Sequence, residues 1–404
     1  MMKHIIVLAD GLADEPCDSL GGKTPLEAAD TPALDELARR GRSGLLATVP
    51  PGYHPGSEIA HLSLLGYDLD EVFEGRGTLE AASMGIDILP AEMAMRCNLI
   101  CIAPDGRIKN HSAGHISDAE AAELIEFLNS RLGDGRASFH TGVSYRHLLK
   151  IKGGDKRIDC TPPHDVPGTP AAEVMVRPLV PEAEATARYI NGLILESQKI
   201  LADHPVNLRR MREGKDPANS IWPWSPGYKP DMKTMATLFG IGKGYVISAV
   251  DLIRGIGVYA GLTPVTVEGA TGLYTTNYEG KLQAALRLLR EDADFVFLHI
   301  EASDEAGHEG DAELKKLTAE YLDRRIVGPL LKAVDEMDED VAIALLPDHP
   351  TPCRLRTHTA APVPFTILKP GVEPDDVAEY SEKAAAQGGY GSLHSDQFIK
   401  TLLG

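Results

Sequence analysis

HIIVLADG, residues 4–11, is a compact apolar run closed by a carboxylate and a glycine. The same pattern returns at Phe295–Ile300, ahead of Glu301 and Asp304, and at Val341–Leu346, ahead of Pro347 and Asp348. None of these runs alternates polar with apolar residues, so each reads as a strand buried on both faces, the signature of a parallel sheet covered by helices. Helical spacing at 31–41, 279–291 and 312–337 supplies those covers. In such sheets, sites form in the loops beyond the carboxyl ends of the strands. Asp10, Asp304 and Asp348 all fall there. The expected fold class is α/β, with a mainly parallel sheet flanked by helices.

A chain of 404 residues exceeds one ordinary core and calls for two domains. From about 88 to 228 the character changes. Ser117 and Glu120 have capping-box spacing at the head of a helix, ASFHTGVSYRHLLKIKG (137–153) is strand-like, a proline-rich stretch follows, and a longer helix is expected near 182–203. The expected organisation is a core formed by 1–87 and 229–404, with 88–228 inserted as a smaller α+β substrate-binding or lid domain. With 59 acidic against 40 basic residues the formal charge is −19, which argues against nucleic acid or an anionic membrane as partner. Five unpatterned cysteines read as reduced thiols. The first residues show no signal peptide, because Asp10 interrupts a short apolar run, and a cytoplasmic location is expected. Oligomeric state is not legible.

Five segments carry chemistry: Asp10, Ser57 in PGSEIAH, Asp304 and His308 in DEAGHEGD, Asp348-His349 in PDHP, and His358 in HTAAPVPF. Three carboxylates, three imidazoles and a hydroxyl suit two neighbouring divalent metals beside an activated nucleophile. Taken singly they are weak. Asp304 and His308 share a face only if their segment is helical, Asp348-His349-Pro350 is also good turn chemistry, and His358 alone is an ordinary surface histidine. Ser57 precedes a helical pattern, where it serves either as a plain N-cap or as a nucleophile favoured by the helix dipole.

The order of the motifs adds what the single residues lack. ADG, then PGSEIAHLSLLGYD followed by GRGTLEAASMGI, then DEAGHEGD, PDHPTP and HTAAPVPF resembles the cofactor-independent phosphoglycerate mutases of the alkaline phosphatase superfamily, in their shorter archaeal-type branch, over nearly the whole chain. The resemblance implies an alkaline-phosphatase-like core and two metals. Asp304, His308 and His358 would hold one; Asp10, Ser57, Asp348 and His349 would hold the other, with Ser57 as the nucleophile. Manganese is the expected ion, and the O/N ligand set also admits Zn²⁺ or Mg²⁺. The implied reaction interconverts 3-phosphoglycerate and 2-phosphoglycerate through a phosphoserine.

For that small phosphorylated hydroxy acid the expected contacts are His111 (or His115), Arg146, Arg209, Arg210, Lys243 and Arg254, since arginine forks suit carboxylate and phosphate. The chain departs from many archaeal-type mutases at ANSIWPWSPGYKP (218–230) and KNHSAGHI (109–116). A related bacterial subgroup has been proposed to phosphorylate homoserine on the same metal centre, so a homoserine-kinase-like transferase stands as one alternative and a phosphatase as another. Trp222 and Trp224 read as core aromatics or as walls of an altered pocket.

Overall fold

The computed structural model describes residues 2–404 and divides into two compact units, Met1–Phe73 with Asp231–Gly404, and Glu74–Pro230. The first unit is built on an eight-stranded sheet in the spatial order Thr263–Val265, Gly244–Ile247, Phe295–Ile300, Lys3–Ala9, Val341–Leu346, Val363–Leu368, Arg42–Ala47, Gly391–His394. Five of its seven pairings are parallel; only Val363–Leu368 runs against its neighbours. The three apolar runs lie side by side, with Ala9 opposite Ile300 and Leu8 opposite Leu346.

Both faces are covered. Ile5, Val7, Val296, Leu298, Ile343 and Leu345 pack with Leu34, Leu37, Leu282, Leu286 and Leu330 from helices on one side. On the other, the His61 ring lies 5.6 Å from Phe297, and a Cβ on Gly257 would meet the Val246 side chain at 2.5 Å. The helix expected at 312–337 proves to be Ala312–Leu322, a wider π-type turn at Asp323–Val327, and Gly328–Asp335. Pro329, which lacks an N–H, sits just beyond the turn. The displaced Asp323 carboxylate accepts the N–H groups of Ala33 and Leu34 at 2.7 and 2.8 Å, supplying the cap that Thr31 does not.

The inserted unit is antiparallel. Glu92–Ile102 pairs with Arg146–Lys152 on one side and Ser220–Gly227 on the other, and helices Asp118–Leu132 and Glu184–Ala202 cover the sheet. Its first boundary lies at 73/74, not at 87/88, because Arg76–Ser83 is a helix of this unit. Gly77 is seated so closely that a Cβ would meet Ala94 O at 2.7 Å and Ser225 O at 2.8 Å. Among the described residues no helix is long and apolar enough to cross a membrane, and all five cysteines are free.

His147 in this unit is buried, and its Nδ1 accepts the Gly142 N–H at 3.1 Å. Burial pushes its pKa down to about 4. Between pH 6.5 and 4 the unfolded chain therefore binds a proton that the native state refuses, and stability falls as pH falls, by up to about 1.4 kcal/mol per pH unit from this group. Urea unfolding of the full chain at pH 7 and pH 5 should show a shallower pH dependence for His147→Gln than for the natural sequence. Equal slopes would refute this assignment.

Candidate metal centre

All seven chemically promising residues of the core unit reach one edge of its sheet, and strand direction is the reason. Asp10 follows Lys3–Ala9 directly, Asp304 stands in helix Ala302–Glu309 just after Phe295–Ile300, and Asp348-His349 follows Val341–Leu346. His358 precedes the one reversed strand, Val363–Leu368, so its amino end falls at the same edge. Ser57 opens helix Ser57–Leu64 on the chain leaving Arg42–Ala47.

Asp304, His308 and His358 offer ligand atoms within 4.8 Å of one another, as do Asp10, Asp304 and His349. His308 Nε2 stands 3.3 Å from Asp304 Oδ2 and 2.9 Å from His358 Nε2, which is 3.5 Å from Asp304 Oδ1. Because Asp304 and His308 are one helical turn apart, they do share a face. His349 Nε2 is 3.2 Å from Ser57 Oγ, 3.2 Å from Asp348 Oδ2 and 3.8 Å from Asp10 Oδ1. Ser57 is the first helical residue, after a Gly56 N-cap that makes no side-chain cap bond, so its hydroxyl points at His349 instead of closing the helix end. The site is sealed at Asp10 and Asp348 and opens at His308, which is exposed.

The charge balance suits cations. Asp10 Oδ1 and Asp348 Oδ2 are buried without hydrogen-bond partners, which a polar core does not tolerate unless something else meets them. Burial, then the neighbouring Asp348, Asp304 and Glu301 carboxylates, push the Asp10 pKa well up, and burial pushes Asp348 the same way. Burial also opposes ionisation of Asp304, but hydrogen bonds from His308 and His358 hold it well below the usual range, and the same bond raises His308 to about 9. Burial, then His358, drives His349 down to about 3, leaving a neutral imidazole. Two orphaned carboxylate oxygens beside neutral imidazoles fit divalent ions of mixed O/N preference.

Residues outside the expected set hold these ligands. Lys315 is completely buried; its Nζ donates to Asp14 at 2.7 Å, Thr351 O at 2.8 Å and Ala13 O at 3.0 Å, tying the loop after Asp10 to the loop after His349. Thr351 Oγ1 donates to Asp304 Oδ1 at 2.5 Å, and Ser303 Oγ donates to Asp10 O at 2.6 Å. His61 Nδ1 donates to Ser57 O at 2.7 Å and lies 3.5 Å from Asp348 Oδ2. His299 Nε2 lies 2.8 Å from Asp10 Oδ2. The available signal was a lone polar residue in the otherwise apolar FVFLHI, and a histidine four places after Ser57 in SEIAH.

The expected substrate contacts divide. In the inserted unit the His111 ring packs edge-on against Tyr145 and His164, and His115 against Tyr145, with the Arg146 guanidinium 5.7 Å from the Tyr145 ring. Arg96, not anticipated, lies 4.4 Å over the Trp224 ring, whose Nε1 donates to Asn98 at 3.0 Å. Trp222 and Trp224 are both buried core residues. Arg210 is corrected: its guanidinium is buried against Glu120 (2.6 Å), Ala113 O (2.6 Å) and Asp216 O (2.9 Å), so it latches the His111 loop and has no free donor fork for a ligand. Glu120 serves that latch while its backbone N–H takes the Ser117 cap. Arg209 is exposed, 3.9 Å from Glu120. Lys243 is also corrected: it precedes Gly244–Ile247 and pairs with Asp292, at the amino edge of the sheet, a strand's length from the carboxyl edge where Asp10 sits. Arg254 is half-buried on the helix packed against the one that Ser57 opens.

A family model for 2,3-bisphosphoglycerate-independent phosphoglycerate mutase matches residues 38–207. The chain is 46% identical over 405 residues to the 2,3-bisphosphoglycerate-independent phosphoglycerate mutase of Methanosarcina acetivorans, covering 100% of both. The solved structure of a Pyrococcus horikoshii protein superposes with a TM-score of 0.83 at 31% identity, covering 100% of this chain and 96% of that one. That of a cofactor-independent phosphoglycerate mutase from Thermoplasma acidophilum superposes with a TM-score of 0.70 at 28% identity, covering 100% and 99%.

Gly11 joins the two ligand loops at a φ of +62°, and its N–H donates to Asp348 Oδ1 at 3.0 Å. A Cβ there would meet Asp304 Oδ1 at 2.5 Å and Thr351 Oγ1 at 2.6 Å. Left-handed strain and overpacking together should cost Gly11→Ala about 2–4 kcal/mol, read as a lowered urea midpoint with weakened Mn²⁺ binding. A variant with the midpoint and affinity of the natural chain would contradict this packing.

Proposed function

This chain belongs to the 2,3-bisphosphoglycerate-independent phosphoglycerate mutase family, a family of isomerases, and from that premise we propose that Ser57 is its nucleophile and carries the phosphoryl group between the two hydroxyls of glycerate. The observation that carries this reading is the Ser57 hydroxyl, 3.2 Å from His349 Nε2, beside buried Asp10 and Asp348 oxygens that lack partners. Asp304, His308 and His358 would hold one divalent cation; Asp10, Asp348 and Ser57, which gather around His349 Nε2, would with His349 hold the other. Bound there, the cations would lower the pKa of the serine hydroxyl and offset charge on the transferring group. Manganese suits this ligand set.

The Ser57 oxygen forms a bond to phosphorus as the bond from phosphorus to the C3 oxygen of 3-phosphoglycerate breaks. The serine proton ends on the C3 hydroxyl of the released glycerate. The C2 hydroxyl then attacks the phosphoserine, its proton returns to Ser57, and 2-phosphoglycerate leaves. Standing in the first turn of its helix, Ser57 places the charged ester at the positive end of the helix dipole. Excluding water from that ester separates isomerisation from hydrolysis. Within the inserted unit, Arg146 and His111, with His164, form a cationic and aromatic group whose chemistry suits a carboxylate or a phosphate, while the buried Arg96 beside them is paired with Glu80 at 2.9 Å.

In an enolase-coupled assay with 3-phosphoglycerate and Mn²⁺, without added 2,3-bisphosphoglycerate, the natural chain should turn over. Ser57→Ala should lose about 10³-fold or more in kcat while still binding metal more weakly; a mutase-active Ser57→Ala would refute the relay. Chelation should abolish activity, and Mn²⁺ should restore it. Activity that survives complete metal stripping would remove the cations from the mechanism.

A further inference from the structure

His299 is the one polar side chain on a strand otherwise made of Phe295, Val296, Phe297, Leu298 and Ile300, and it has no exposed surface. An imidazole placed there costs stability unless both nitrogens are satisfied. Both are. Nε2 lies 2.8 Å from Asp10 Oδ2 and Nδ1 lies 3.0 Å from Ser248 Oγ. The Ser248 oxygen in turn accepts the Val250 N–H at 3.0 Å. With Asp10 ionised, as a cation ligand is, one arrangement of protons satisfies this chain. The carboxylate accepts, so Nε2 carries the hydrogen; Nδ1 must then accept, so the serine hydroxyl donates to it. The ring is further fenced by His61, 5.5 Å away and edge-on, and its backbone oxygen is held by the buried Lys281 Nζ at 3.2 Å.

The consequence falls on Asp10. Its backbone oxygen is fixed by Ser303 Oγ at 2.6 Å, one carboxylate oxygen is occupied by His299, and the other, Oδ1, is buried with no hydrogen-bond partner and faces His349 Nε2 at 3.8 Å. A freely rotating carboxylate would divide its oxygens among several orientations. This one is presented with a single oxygen facing the His349 imidazole.

We propose that His299 is a positioning residue: the Ser248–His299–Asp10 chain locks the Asp10 carboxylate so that Oδ1 alone is offered to one of the two cations. The inference rests on the metal-dependent reading of the site. His299 itself touches neither substrate nor cation. Partners of this kind typically change metal affinity by 10- to 100-fold when removed.

The test is Mn²⁺ titration calorimetry of the full chain, stripped of metal beforehand, with the melting temperature of each metal-free protein as the control for folding. The natural chain should bind two Mn²⁺. His299→Leu fills the space without hydrogen-bonding groups and should weaken one of the two binding events by about 10- to 100-fold while sparing the other. His299→Gln, whose side-chain amide can reach Asp10 from the same position, should recover most of that loss. Ser248→Ala, which releases Nδ1 but leaves the ring in place, should weaken the same event by several-fold and serves if His299→Leu does not fold. Unchanged affinity in His299→Leu overturns the proposal, and so does equal weakening of both events in His299→Leu and His299→Gln alike, which is the mark of a general structural defect. Absence of Mn²⁺ binding in the natural chain would instead overturn the metal-dependent reading, and this inference with it.

Discussion

A buried ammonium holds the candidate centre in shape. Lys315 reaches from helix Ala312–Leu322 to the Asp14 carboxylate and to the carbonyls of Ala13 and Thr351, so its three donors are spent on the two loops that carry Asp10 and Asp348-His349. A charge without solvent is tolerated only when paired and fully hydrogen-bonded. Asp14 meets that condition by also accepting the Cys353 and Glu15 N–H groups. The pair thus trades desolvation for geometry: two loops from separate strands cannot drift apart without stranding a charge in the core.

The centre sits on that clamp as a set of mutually repelling groups. Asp10, Asp304, Asp348 and Glu301 crowd one strand edge, and two of their oxygens have no hydrogen-bond partner. Such crowding costs stability in the protein alone and would be recovered by bound cations. The surrounding hydrogen bonds decide which oxygens are spent internally and which remain available. Thr351 takes one oxygen of Asp304, the Gly11 N–H one of Asp348, and His299 one of Asp10. The candidate ligands are therefore oriented without a cation, the preorganisation that electrostatic catalysis relies on.

The inserted unit follows different rules. In its antiparallel sheet Arg96 lies over the buried Trp224 ring and Arg146 beside Tyr145. Arginine is ambiguous in a sequence, since the same guanidinium can bind a ligand or brace a loop. Arg209 and Arg210 are adjacent, yet one is exposed and the other is spent on Glu120, Ala113 and Asp216. A helix turns 100° per residue, so neighbours in sequence meet different surroundings. Lys243 was ambiguous for another reason: which end of a strand a residue occupies matters more than its charge.

HIIVLADG, its two companion runs and the carboxylates after them were readable because an unbroken apolar run marks a strand buried on both faces, and because chain direction sends the end of every parallel strand to one edge. That much follows from the sequence by itself, with the helices flanking the sheet and the seven residues at its rim. Tertiary structure alone decided the rest: the π-type turn at Asp323, the first unit boundary at Phe73, the Lys315 clamp, and the roles of His61 and His299. Each depends on a hydrogen bond or a close approach between residues far apart along the chain. Such bonds leave no periodic trace; they exist only once the strands have fixed which loops face each other.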